Sequence, residues 1–483
     1  MFILILAVIF PLLCGLIIPL LKKMSGRKFK LALIASMQAI ETVFCALIIF
    51  SDTMTTGVFK ITNSITVGFS SDGVAKFFCA IVALGWLLVL LYACVYMKHE
   101  KNEERFFAFM FLSEGAMIGA SLSSGLVSMY VFYEFVTLFS MPLVLHSLSK
   151  ESIAAAKKYL YYSVAGAFMA LFGIFVLNEY ASTLDFSVGG NIEGANGILL
   201  AAVFAMCLGF GAKAGMFPLH GWLPTAHPVA PAPASALLSA IIAKAGVLAI
   251  IRTVYFTVGA DILAGTWVQT ALLCLALLTV LMGSMMAYRE KVFKKRLAYS
   301  TVSQISYVLC GLFLFTEAGL EGALLQIVFH AVVKVGLFLC CGAVIFLYGK
   351  TSVDELHGIG KKMPVTFVCF TLLSLSLIGI PPTGGFISKW YLAMASLDSA
   401  LGVFSWLVPV TLLVSALLTA GYLLSISIHA FFPGEGAVQI KETKKEPVLM
   451  LVPIAVLALI ALFGGLFAAP VTDIIGKIAS SMM

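Results

Sequence analysis

Apolar runs of roughly 20 residues, each enough to cross the hydrocarbon core as a helix, recur from one end of this chain to the other. They lie near 2–21, 30–50, 74–97, 106–123, 125–148, 155–177, 198–224, 231–257, 266–287, 299–315, 320–348, 364–396, 403–431 and 447–470. Only Ser123, Ser124 and Gly125 separate the fourth from the fifth. The seventh and twelfth are long because glycine and proline interrupt them, in GAKAGMFPLHGWLP and GIPPTGGFISKW. Polar stretches between runs are too short for a separate soluble domain, so residues 1–483 read as a single membrane domain. Met1–Leu21 has no basic leading region and reads as a first span rather than a signal peptide.

Charge sorts the loops. Basic clusters at 22–30, 98–105, 150–158, 289–296, 350–362 and 441–445 hold 22 of the 30 Lys and Arg residues. The alternate loops hold only Lys60, Lys76 and Lys477, beside Glu179, Asp185, Glu193, Asp261, Glu317, Glu321 and Asp398. The positive-inside rule puts the basic side in the cytoplasm and both termini on the opposite face of the cell membrane. Composition agrees: 61% of residues are hydrophobic and 11% charged, against about 25% charged in a soluble domain. The net charge of +7 is spread over membrane loops and gives no sign of nucleic-acid binding. All ten cysteines sit in apolar segments without CxxC or Cys/His spacing and read as small buried hydrophobes. No metal site and no cofactor is expected.

Against this apolar background the ionisable residues at membrane depth stand out. Lys213 and Lys389 lie in the two interrupted runs, and irregular backbone at that depth is tolerated where it is buried in protein or lines a water-filled path. A pair of such interruptions in the two halves of a membrane protein points to an ion or substrate site. Glu134 has no charged neighbour in sequence and needs a partner from another helix, for which a lysine serves best. Lys244 falls roughly 18 Å into its helix, too deep to reach the surface easily. His330 and Lys334 are four apart on one helix face, a pairing suited to proton relay. Glu134, Lys213, Lys244, Lys334 and Lys389 together cost on the order of 12 kcal/mol, comparable to the stability of a whole domain. Glu114, His220 and His227 are further candidates. Glu41 and His146 read more readily as contacts between helices, and Arg252, near a helix end, as a snorkelling side chain. Pro228, Pro231 and Pro233 are expected to start the eighth helix.

At these residues the sequence resembles a known family. GFGAKAGMFPLHGWLPTAHPVAPAPASALLSAIIAKAG, KKRLAYSTVSQISYVLCG, FHAVVKVGLFLCCGA and GIPPTGGFISKWYLA are similar to segments of the antiporter-like subunits of respiratory complex I, Mrp-type cation/proton antiporters and membrane-bound energy-converting hydrogenases. The likeness covers roughly residues 70–430. It implies an all-α polytopic membrane protein of about 14 transmembrane helices, with helices 4–8 and 9–13 as two inverted five-helix repeats and helices 7 and 12 broken. The divisions would be 1–105 (helices 1–3), 106–257, 258–431 and 447–470 (helix 14).

The resemblance makes Glu134 the helix-5 glutamate and Lys213 its helix-7 partner. Lys244 corresponds to the helix-8 lysine, His330 and Lys334 to the helix-11 relay, and Lys389 to the terminal helix-12 residue. Where many members carry a first histidine on helix 11, this chain has Gln326, so the relay there would run through water. The chain ends soon after its last span without a long lateral helix. By the resemblance that argues against the most distal complex I subunit, while Lys389 and GGFISKWYLA lean toward the hydrogenase or Mrp-D-like branch. The implied function is proton translocation within a larger complex that contains a redox module and further antiporter-like subunits. Two alternatives stand beside it. A sodium/proton antiporter would need several carboxylates in one cavity, for which Glu41, Glu114 and Glu134 are a thin supply. A non-transporting scaffold would leave the buried charges unexplained.

Overall fold

The computed structural model describes residues 2–23, 26–60, 66–434 and 444–483. Lys441 of the last basic cluster lies outside them. The chain opens with α1 (Phe2–Ile17), α2 (Arg27–Ile49), two paired antiparallel strands β1 (Thr55–Lys60) and β2 (Thr66–Ser70), and α3 (Gly73–Tyr96). Next come α4 (Glu103–Leu122), α5 (Leu126–Val144), α6 (Lys150–Tyr180), α7 (Gly197–Ala214) and the short α8 (Leu223–Val229). α9 (Ala232–Leu237) and α10 (Lys244–Ile251) belong to one continuous span, Ala232–Val258, which contains π-helical stretches at Leu238–Ile242 and Arg252–Val258. A single turn, α11 (Ala260–Leu263), leads to α12 (Trp267–Arg289), α13 (Phe293–Leu312) and α14 (Glu317–Tyr348). The remainder is α15 (Pro364–Ile378), α16 (Gly384–Leu397), α17 (Val403–Phe431), α18 (Val448–Leu466) and α19 (Ala468–Ser480).

Among the described residues twelve helices are long and apolar enough to cross a membrane. Two of the expected spans fall outside that set. α13 carries Lys294, Lys295 and Arg296 in its first turn, and the twelfth span is divided into the shorter α15 and α16. The hairpin β1–β2 and the terminal α19 add to the expected elements; both are shorter than a membrane-spanning run, so hydropathy does not mark them. The weak boundary at Ser123–Gly125 is a real turn, held by bridges from Ser123 to Phe69 and from Gly125 to Asp185. Pro231 and Pro233 open the eighth span at the head of α9, as expected, whereas Pro228 lies inside the separate α8.

Loop contacts sort onto two ends of the bundle. Arg27 pairs with Glu103 at 2.9 Å and Lys30 with Glu104 at 2.5 Å, joining the first two basic clusters. Arg105 donates to the His146 carbonyl, and Lys291 meets Asp354 at 2.9 Å. At the other end Phe186, Ser187 and Asn191 bond to backbone groups of Ser124, Phe256 and Thr257. Helices approach closely where glycine lets them: a Cβ on Gly166 of α6 would collide with the Gly209 carbonyl oxygen of α7.

Arg252 corrects an expectation. It does not snorkel: it is fully buried, with Nη1 2.6 Å from Asp72 Oδ2 and Nη2 2.8 Å from Oδ1. Its guanidinium also lies between the rings of Phe186 and Phe256, at 4.9 and 4.5 Å. Asp72 caps α3 through Ala75 N–H as well. Burial raises the Asp72 carboxyl pKa, but the Arg252 charge outweighs it and holds the group below the usual range. A depressed folded pKa contributes stability above the unfolded value of about 3.9 and loses it as pH falls through the folded value. Asp72→Asn should therefore cost about 2 kcal/mol at neutral pH, less than the ~3–5 typical of fully buried pairs, because the Asp72 side chain is 30% exposed. Thermal unfolding in detergent should show that difference shrink in acid; equal melting of both proteins at neutral pH would refute the role.

Candidate functional site

Lys213 stands in the last turn of α7, where Gly215, at φ 82°, ends the helix in the left-handed region. A cation is favoured there by the helix dipole. Its ammonium is fully buried and donates to the Tyr133 carbonyl at 2.8 Å and to Thr137 Oγ1 at 2.6 Å. It also lies 3.7 Å from the centroid of the Tyr133 ring. Glu134 makes no direct bond to the Lys213 ammonium and its Oε1 has no hydrogen-bond partner, but the two side chains are near enough for their charges to act on each other. The reason is helical geometry. Tyr133 and Thr137 share a face of α5, and Glu134, about 100° from Tyr133 and about 60° from Thr137 around the helix, lies at the edge of that face, toward the half-buried side.

The next lysine follows the first π-helical stretch, a feature frequent at functional sites. Lys244 donates to the Ala240 carbonyl within that stretch, and its Nζ is 2.9 Å from His330 Nδ1. The backbone of this span packs directly on Lys213: a Cβ on Gly246 would lie 3.3 Å from Lys213 Cβ. His330 and Lys334 share a face of α14 but engage different helices. Lys334 bonds the Leu297 carbonyl at 2.9 Å and the Ser300 hydroxyl, both on α13.

Lys389 begins beyond the second break, on α16, and reaches back across it to the Leu377 carbonyl of α15. Its stem lies over Gly379 (φ 91°), where a Cβ would come within 2.8 Å of Lys389 Cδ. The Tyr307 ring centroid of α13 is 5.5 Å from its ammonium. Each break also contains one cis peptide bond, Phe217–Pro218 and Pro381–Pro382.

Gln326, His330, Gln304 and Lys389 line one small cavity, about the size of a water molecule. Gln326 donates to Gln304 Oε1 at 3.1 Å and accepts from the Ser388 hydroxyl at 2.6 Å. Among the described residues, no carboxylate lies within ion-pairing distance of Lys213, Lys244, Lys334 or Lys389.

The three further candidates separate. His227 is fully buried with neither ring nitrogen bonded, and its ring stacks on Phe338 at 4.9 Å, one turn from Lys334. His220 lies in the first break, stacked on Phe217. Glu114 is not on the lysine line at all: it is buried against Gln38 of α2. What sequence reasoning missed is the set of contact residues on α13, which it read only as a span. Lys294, Leu297, Ser300, Gln304 and Tyr307 form one stripe along it, and four of them touch Lys334, Gln326 or Lys389. Lys294 is itself buried on the Ala230 carbonyl at 2.6 Å rather than solvated in a loop. The signal is present as recurring three- and four-residue spacing in KKRLAYSTVSQISY.

Residues 123–419 match the family model described as NADH:quinone oxidoreductase/Mrp antiporter, TM. Residues 59–107 match NADH-Ubiquinone oxidoreductase (complex I), chain 5 N-terminus. The chain belongs to this family of antiporter-like membrane subunits. Among its relatives, NADH-quinone oxidoreductase subunit N of Desulforudis audaxviator is 34% identical over 82% of this chain and 81% of its own. A Na(+)/H(+) antiporter subunit of Bacillus subtilis is 29% identical over 99% and 97%. Hydrogenase-4 component B of Escherichia coli is 30% identical over 66% and 49%. A chain of the Mrp complex from Dietzia has the same fold, with a TM-score of 0.86 at 22% identity, over 100% of this chain and 98% of that one. All six main pathway candidates fall inside the longer matched segment.

Proposed function

We propose that this subunit moves protons across the cell membrane along Glu134, Lys213, Lys244, His330, Lys334 and Lys389, as part of a larger complex. The observation that carries the reading is the buried Lys244–His330 contact at 2.9 Å, followed by a cavity that His330 shares with Lys389. Lysine and imidazole can each hold and release a proton, and the intervening amide of Gln326 cannot, so a water in that cavity takes its place.

The scarcity of carboxylates gives the line its coupling. Four ammoniums without counter-ions cannot all be charged in an apolar core. A proton arriving at one lysine therefore raises the cost of the proton on the next. Glu134 supplies the nearest negative charge on the Lys213 side, and a change in its charge or position would shift the Lys213 proton toward Lys244. Moving one charge against 100 mV takes about 2.3 kcal/mol, within the range of making or breaking one buried charged contact. The drive is assigned to partner subunits: a redox module, or an ion gradient acting through further antiporter-like subunits.

In this reading α13 and the α15–α16 pair complete 14 spans, the basic loops face the cytoplasm, and both termini lie outside it. The mirrored order of lysine and break supports two inverted repeats: Lys213 precedes its break and Lys389 follows its own. A sodium/proton antiport reading is kept as second because Glu41 and Glu114, two of the three carboxylates it would need, are both fully buried.

Lys244→Met in proteoliposomes holding the assembled complex tests the main reading. Proton uptake, followed with a pH-sensitive dye during turnover, should fall by about tenfold or more, as a barrier increase above 1.4 kcal/mol requires. Uptake at the wild-type rate would remove the Lys244–His330 contact from the path.

A further inference from the structure

Beside the first two basic clusters lies a groove that the lysine line does not touch. α1 ends at Ile17 and the chain continues as a short, tighter helix, Ile18–Lys23, alongside the start of α4 at Glu103. Deeper in the bundle the two helices are in close contact. A Cβ on Gly15 would meet the Ala108 carbonyl oxygen at 2.8 Å, and one on Gly115 the Val8 carbonyl oxygen at 3.1 Å. Toward the basic end they part into a groove of about 400 Å3, within the roughly 300–1,000 Å3 of small-molecule sites.

Polarity is graded along this groove. On the α4 wall Arg105, Phe109 and Leu112 follow at four- and three-residue spacing and share a face. Charge gives way to apolar side chains within about 10 Å. The α1 wall repeats the order, from Lys22 through Pro19 to Leu16, which is 65% exposed. Both walls are therefore cationic at the loop end and apolar toward the middle of the membrane.

The cations at the head are uncompensated. Glu103 and Glu104 would repel an anion, but Arg27 holds the first at 2.9 Å and Lys30 the second at 2.5 Å. Among the described residues neither Lys22 nor Arg105 joins an ion pair. Arg105 is anchored through Nη2 on the His146 carbonyl, which fixes the guanidinium at the groove, and its Nε has no partner. α4 starts at the same place, after Asn102, without a side-chain cap, and a helix N-terminus favours an anion.

We propose that the α1–α4 groove binds an anionic phospholipid of the leaflet that borders the basic loops, with its phosphate between Lys22 and Arg105 and its acyl chains along Pro19, Leu16, Phe109 and Leu112. The order of polarity along both walls is that of the lipid itself. Two cations suit one phosphodiester, and a headgroup that carries its own ammonium would set a third positive charge beside them. Basic pockets between membrane helices favour acidic headgroups for this reason.

The test uses the full chain, with any subunits that co-purify, in phosphatidylcholine nanodiscs. A small fraction of phosphatidylglycerol carrying a photoreactive diazirine near the top of one acyl chain is added. After illumination, mass spectrometry should place the label within 15–22 and 105–112, at least about fivefold above the same diazirine on phosphatidylcholine. Lys22→Gln should cut the labelling about fivefold and Lys22→Glu about thirtyfold, as the loss of one and two charges at the surface requires. Lys22 is exposed, so neither change disturbs packing. Lys28, an exposed member of the same cluster, does not line the groove; Lys28→Glu should leave labelling within about twofold, because salt screens a charge outside the site. Excess glycerol phosphate should not displace the label, since it lacks the chains that the apolar walls hold. Equal labelling by the two lipids would mark general solvation and overturn the proposal. An equal loss in Lys28→Glu would mark diffuse surface charge, and displacement by glycerol phosphate a soluble-anion site; each would overturn it. So would a groove that takes label only when partner subunits are stripped away, which would make a protein its occupant. No proton movement is measured, so the result stands or falls apart from the pathway reading.

Discussion

Lys389→Ala in the assembled complex should leave the partner's electron or ion chemistry running while proton movement per turnover falls by about tenfold or more. Lys389 is the ionisable group that follows His330 along their shared cavity, and its ammonium is held by the Leu377 carbonyl across the second break. Among the described residues no carboxylate lies near enough to substitute for it. Alanine would widen a cavity of one-water size and admit more water, but that water would carry an unstabilised charge through an apolar core. The conservative variant separates charge from proton exchange. Lys389→Arg keeps a positive charge but does not deprotonate in a protein, so it should be as uncoupled as alanine. The measurement is the ratio of protons moved to electrons or counter-ions consumed. A normal ratio in either variant would take Lys389 out of the mechanism and leave the second broken helix without a functional account.

The other large effect is expected at the opposite end of the line. Glu134→Gln should abolish coupled proton movement while the complex inserts and assembles as before. Although Glu134 does not bond Lys213 in this structure, it is the acidic residue on the helix that Lys213 contacts, one position from Tyr133 and three from Thr137. Removing its charge removes the field that favours a protonated Lys213. Thr137→Val is the graded comparison. It deletes a 2.6 Å bond to the ammonium, worth about 1.5–3 kcal/mol for a charged group, and should change the pumping rate without abolishing it. Vesicle proton uptake, paired with native-gel analysis of assembly, distinguishes the two. Full pumping with glutamine at 134 would show that Lys213 is governed from elsewhere.

Much of this molecule is legible in the amino-acid sequence by itself. Runs of membrane length, the alternation of basic and acidic loops, and the glycine and proline breaks are local signals. They set the helical membrane fold, the two ends of the bundle and the identity of the costly buried groups, because a charge in an apolar run is out of place whatever it touches. The partners of those charges are not legible. Lys213 bonds the Tyr133 carbonyl and the Thr137 hydroxyl directly and meets Glu134 only through its charge, because the rotation and depth of α5 against α7 set which groups come within bonding distance, and only the packed pair of helices fixes them. Arg252 looks like a snorkelling residue in sequence because its salt bridge comes from Asp72, 180 residues away. Glu114 leaves the lysine line for the same kind of reason, drawn to Gln38 on a helix 76 residues distant. The stripe on α13 is present as spacing but has no meaning until Lys334, Gln326 and Lys389 are laid against it. Hydropathy and charge act along the chain and are written in it; hydrogen-bond partnership acts across space and depends on rotations and depths that only tertiary packing sets.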